Sequence, residues 1–133
     1  MNHKTVHIAM GLGGVLIFLA SGVYMKMHFP DMYAANESIR YQFRANHIYI
    51  LMSALVNLVA GLSIRPVYAG WRIAVSWVST ALLLFTPLLM VAAFFIEPAH
   101  GIAARPLTFY GVLALVVGVV LAYLPRIRYL SSE

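Results

Sequence analysis

No Asp, Glu, Lys or Arg occurs in Ile8–Met25, Ile48–Ile64, Ile73–Ile96 or Leu107–Leu124, and these four runs fill most of a 133-residue chain. A helix rises about 1.5 Å per residue, so roughly 20 apolar residues cross a hydrocarbon layer about 30 Å thick. Lipid offers no partner to a backbone N–H or C=O, so each run must pair its own backbone and therefore predicts a helix. The expected fold is an all-α integral membrane protein: one four-helix bundle over residues 1–133, up-down-up-down because the connections are of modest length. The longest stretch outside the runs, Lys26–His47, leaves no room for a soluble module. Lys4 followed by an apolar stretch and Ala20-Ser21-Gly22 imitates a secretory leader, but the run continues to Met25, so Ile8–Met25 reads as a retained helix.

The side that carries the termini holds Lys4, Arg65, Arg72, Arg126 and Arg128, against Lys26, Arg40, Arg44 and Arg105 on the other. The positive-inside rule then predicts both termini in the cytoplasm, most simply of a bacterial inner membrane. The net charge of +5 comes from such flanking residues. They meet the lipid bilayer's headgroups, and with no basic cluster or phosphate loop, nucleic acid is not an expected partner. The chain has no cysteine, which excludes disulfides, thiolate metal sites and thiol nucleophiles.

Helical spacing gives each run one small or polar stripe. The stripes are His7, Gly11, Gly14, Phe18, Ser21 and Met25; Asn46, Ser53, Asn57 and Gly61; Ser76, Ser79, Thr86 and Met90; and Thr108, Gly111, Gly118 and Ala122. Such stripes allow close helix approach, so they are expected to face inward. Asn57 is expected to bond a neighbouring helix, because an unpaired amide near mid-bilayer is costly. Pro87 is expected to kink the third helix. Asn36-Glu37-Ser38 reads as an N-cap, which would start the second helix outside the lipid.

Alternating spans bring His28, His47 and His100 to one membrane face, with Glu97, Asp31 and Glu37. Neutral imidazole ligates metals and haem iron. A haem b site is therefore predicted, with His47 as axial ligand and His28 or His100 opposite. Arg40 and Arg44, one and two turns outward, would pair its propionates. His7 lies at the opposite face. A copper site is the other metal reading: Met25, Met27, His28 and Met32 crowd the end of the first run, with Glu97 at the same face, and thioether with imidazole suits Cu(I). Against these stand ordinary roles: interfacial histidines meet water or headgroups, arginines meet lipid phosphate, and methionine fills apolar helices.

No nucleophile elbow or His-Glu-x-x-His spacing occurs, so no enzyme is indicated. The spans hold no Asp, Glu, Lys or Arg of the kind a proton-coupled transporter uses, which argues against transport by a monomer. The expected function is a non-catalytic binding or accessory role, with haem b as a candidate cofactor. The alternative is a purely structural accessory subunit or homo-oligomer, packing on itself or on another membrane subunit. A copper-binding protein, small transporter or channel stands third.

Overall fold

The computed structural model describes residues 3–63, 70–100 and 105–130, with side chains throughout except at 32, 99, 100 and 125–130. It is a four-helix bundle: α1 His3–Met32, α2 Glu37–Ser63, α3 Trp71–Ile96 and α4 Pro106–Leu130, with one 3-10 turn, Glu97–His100, between α3 and α4. All four helices are long and apolar enough to cross a membrane.

The helix ends overrun the apolar runs, for local reasons. Asn36 caps α2, its Oδ1 accepting the Ile39 N–H at 3.1 Å. The helix therefore starts at Glu37, well ahead of Ile48. α1 continues through Pro30, close to its own end, where the lost N–H forfeits a single bond. α3 starts after Gly70, whose φ of +59° lies in the left-handed region that glycine enters freely.

α1 packs along α2, and α3 along α4; the two hairpins join mainly through α2 and α3. Glycines set both hairpin seams. A Cβ on Gly14 would stand 2.7 Å from the Ala54 Cβ, one on Gly61 2.7 Å from the Ile8 side chain, and one on Gly111 2.6 Å from Met90. The polar stripes turn inward as expected: Asn46, Ser53 and Asn57 of α2 and Ser79 and Thr86 of α3 are buried. One apolar cluster gathers Phe43, Ile50, Met90 and Phe94 with Tyr24 and Met25 against it. A smaller one joins Ala60, Leu83 and Leu115. Bulky residues such as Leu16, Val23, Val116 and Val120 stay outside.

Adjacent glycines of α1 give a direct test of the seam. Gly13 has open space where its Cβ would be, whereas Gly14 meets Ala54. Gly13→Ala is expected to be neutral or to stabilise by up to about 1 kcal/mol through helix propensity. Gly14→Ala is expected to cost about 1–3 kcal/mol through overpacking. Unfolding of both variants in detergent checks this, and equal behaviour would place the seam elsewhere.

Candidate functional site

Three clusters of polar side chains hold the sequence-predicted site residues that are hydrogen-bonded, and what each donor and acceptor is bonded to decides what chemistry remains open to it. The first cluster arises from a capping problem. Arg105 occupies the N-cap position of α4, its carbonyl accepting the Phe109 N–H at 3.0 Å. A guanidinium has only donors and cannot cap the helix it precedes. Pro106, the next residue, has no N–H to satisfy. Glu97, 2% exposed at the end of α3, supplies the missing acceptor: its Oε1 takes the Thr108 N–H at 2.8 Å.

The other carboxylate oxygen, Oε2, bonds the Thr108 hydroxyl and lies 3.6 Å from Arg105 Nε. Arg105 Nη2 donates to Asn46 Oδ1 and, at 3.3 Å, to Thr108 Oγ1. The Asn46 amide nitrogen donates to the Ala93 carbonyl at 2.8 Å. The result is a clasp that ties α2, α3 and α4 together. Both Glu97 oxygens, read from sequence as a metal donor, are engaged in it.

The second cluster arises from Pro87. Proline cannot donate to the carbonyl four residues back, which leaves Leu83 C=O without its helical partner. The Asn57 Nδ2 of α2 takes that place at 2.8 Å and also donates to the Ser53 carbonyl at 3.0 Å. With both amide hydrogens on carbonyls, the Asn57 orientation is fixed and its Oδ1 faces His7 Nδ1 at 2.8 Å. An amide oxygen only accepts, so His7 Nδ1 carries the hydrogen and, in the neutral ring, Nε2 carries the lone pair. That Nε2 is buried with no hydrogen-bond partner.

The same reasoning fixes the histidines of the opposite end. Ser21 donates its hydroxyl hydrogen to the Phe18 carbonyl at 2.8 Å, so its oxygen accepts from His47 Nδ1 at 2.8 Å. The His47 ring stacks on Phe18 with centroids 4.0 Å apart, beside Gly22. His28 Nδ1 donates to the Tyr24 carbonyl at 2.9 Å, and its ring stacks on Tyr24. In the neutral ring, each therefore keeps its lone pair on Nε2. Ser21 and His28 are two helical turns apart, roughly 10 Å along α1.

Arg40 sits over the Phe29 ring at 5.7 Å, and Arg44 is exposed. Met25 packs into the core while Met27 is exposed. The side chains of Met32 and His100 lie outside the described residues. Among the described residues no three histidine or carboxylate side chains gather as a metal-ligand set.

Sequence reasoning placed Asn57 between helices but missed the two relationships that organise the interior. A proline in one span and an asparagine in the next was the signal for the first. An acid and a threonine flanking a short connection, with an N-cap arginine unable to cap, was the signal for the second. Comparison with family models, with curated proteins and with solved structures returns no match for this chain.

The Pro87 account predicts a coupling. Asn57→Leu is expected to cost about 0.6–2 kcal/mol, the range of interhelical bonds in membrane proteins. In a Pro87→Ala background the restored N–H re-pairs Leu83 C=O, so the same substitution should cost less. A double-mutant cycle measured by unfolding in detergent reads the difference. A cycle with no coupling would refute the shared carbonyl.

Proposed function

We propose that this chain is an integral membrane protein whose four helices cross the bilayer in alternating directions, with both termini cytoplasmic, and that its role is non-catalytic. It packs as an accessory subunit or homo-oligomer on other membrane helices. The observation that carries this reading is the use of its buried polar side chains. Among the described residues they join its own helices, in the Glu97–Arg105–Thr108–Asn46 clasp and the Asn57–Leu83 bond.

The outer helices support it. α1 and α4 each bury 22% of their apolar stretch against 44% for α3. Between α1 and α3 runs an apolar groove of about 330 Å³, floored by Ala9, Gly13 and Gly14 and walled by Ile17, Pro87 and Val91. Small residues at a groove floor let a further helix approach closely, which is how helices associate in lipid.

The lack of native cysteine suits accessibility mapping. Single cysteines placed in both terminal segments should react only from the cytoplasmic side; reaction from opposite sides would overturn the alternating topology. Gly13→Leu puts a side chain into the groove from a position where a Cβ meets nothing within 4 Å, so it should reduce self-association or co-purification of a partner subunit without lowering stability to unfolding. Unchanged association would remove the groove from the reading.

A second reading is favoured by the histidine geometry. In haem and metal proteins a ligating imidazole commonly donates its second nitrogen to an oxygen, which fixes the ring and exposes the other lone pair. His47 on Ser21 and His28 on Tyr24 both have that arrangement. A haem b held by His47, with His28 or His100 opposite and Arg40 and Arg44 toward its propionates, uses these rings. A Cu(I) site at Met25, Met27, His28 and Met32 would require the exposed Met27 to turn inward. Haem predicts a Soret band in the purified protein, lost in His47→Ala and kept in His7→Ala. Arg44→Leu should weaken haem binding more than Arg44→Lys, because lysine keeps the charge and loses only the planar fork. An absorbance indifferent to His47 would end this reading.

A further inference from the structure

Away from the His28/His47 end, the first two turns of α1 hold a pair of histidines that neither reading uses. His3 and His7 are four residues apart on one helix, the spacing at which two imidazoles on one face bind a single metal ion. Helical side chains tilt toward the N-terminus, so the His7 ring leans over the turn that carries His3.

The state of each ring sharpens the point. His7 is wholly buried, its Nδ1–H held by Asn57 Oδ1, and its Nε2 lone pair faces no donor. A buried acceptor without a partner costs free energy unless something supplies positive charge or a hydrogen. Asn57 is itself immobilised by two carbonyls, so the ring cannot turn to hide that nitrogen without breaking the bond. His3 is half-buried, its ring tilted 59° to that of Trp77 with centroids 4.2 Å apart and its Nδ1 3.4 Å from Thr80 Oγ1. With Nδ1 donating to that hydroxyl, its Nε2 would keep the lone pair. His7 Nε2 is open, and His3 stands one turn away on the same face of α1. Lys4, next to His3 in the sequence, is exposed, and a lysine stem can carry its charge outward.

We propose that His3 and His7 form a site for a divalent first-row transition-metal ion, Zn²⁺ fitting best, with both Nε2 atoms as ligands and solvent completing the shell. Neutral imidazole is the donor such ions favour where thiolate is absent, and Zn²⁺ imposes little geometric demand on an incomplete protein shell. Asn57 then acts as a positioning residue: it sets the His7 tautomer while also filling the gap left by Pro87. An ion bound here would pin the start of α1 to α2 and α3 through His7–Asn57 and His3–Thr80.

The test uses the purified full chain in detergent, with Co²⁺ as the visible probe and Zn²⁺ as competitor. The wild type should develop cobalt d–d absorption that one equivalent of Zn²⁺ removes, and Zn²⁺ should raise its Tm. His3→Gln and His7→Gln should each weaken binding at least tenfold and abolish the Tm increase. A chain carrying His28→Gln, His47→Gln and His100→Gln together should bind as the wild type does. Because His7→Gln can impair folding, His3→Gln at the half-buried position and zinc X-ray absorption on the wild type, which counts imidazole ligands, decide independently of it. Wild-type protein that takes up no Zn²⁺ at micromolar concentration, or binding that survives His3→Gln unchanged, would overturn the site. So would a zinc spectrum with fewer than two imidazoles.

Discussion

A proline inside an apolar helix leaves one carbonyl without a donor, and in this bundle the repair of that carbonyl organises the interior. Pro87 cannot bond Leu83 C=O, and Leu83 is buried against Ala60 and Leu115. Asn57 reaches across from α2 to donate in its place. An amide used this way has its orientation fixed, and that orientation hands a buried acceptor to His7. One backbone defect in α3 thus dictates a polar residue in α2 and a tautomer in α1. Burying a polar side chain that paired with nothing would cost about 1–3 kcal/mol; here the amide offsets an equal liability in its neighbour.

The other end of the bundle solves a related problem with charge. The first turn of α4 presents unsatisfied N–H groups, and its N-cap residue is an arginine that cannot accept. Glu97 crosses the short connection to cap α4, and Arg105 folds back to compensate the carboxylate. A buried ion pair of this kind adds little net stability, because desolvation takes most of the Coulombic gain. Its consequence is specificity. Removing either partner strands the other, so the end of α3, α2 and the start of α4 are committed to one register.

The histidines show where reasoning from sequence reached its limit. That His28 and His47 share an end of the bundle followed from alternating spans, and the structure places both near one end of the α1–α2 pair, each bonded to α1. Which nitrogen carries the proton could not be read, because it depends on a serine and a carbonyl in α1. His7 was assigned to a packing stripe by its spacing alone. Only the fixed amide of Asn57 shows that it holds a buried, unpartnered lone pair. Glu97 was grouped with possible metal donors because it shared a membrane face with histidines. Its engagement with Thr108 and Arg105 depends on where the start of α4 sits against the end of α3, and no periodicity encodes that.

Apolar run length alone predicted four helices and roughly where they lie, because a run long enough to cross a bilayer would have to pair its own backbone. The inward placement of Gly14, Ser53, Asn57, Thr86 and Gly118 was legible too, because a period of 3.6 residues puts them on one face. The Asn36 cap was equally local: its side chain reaches only the helix that follows it. Tertiary structure alone decided which carbonyl Asn57 repairs, which oxygens Glu97 and Thr108 share, and which imidazole nitrogens remain open. Those outcomes depend on the relative rotation and axial offset of neighbouring helices. Rotation and offset are set by how closely glycine seams such as Gly14 on Ala54 and Gly111 under Met90 let two backbones approach, a property of facing surfaces that no single helix carries.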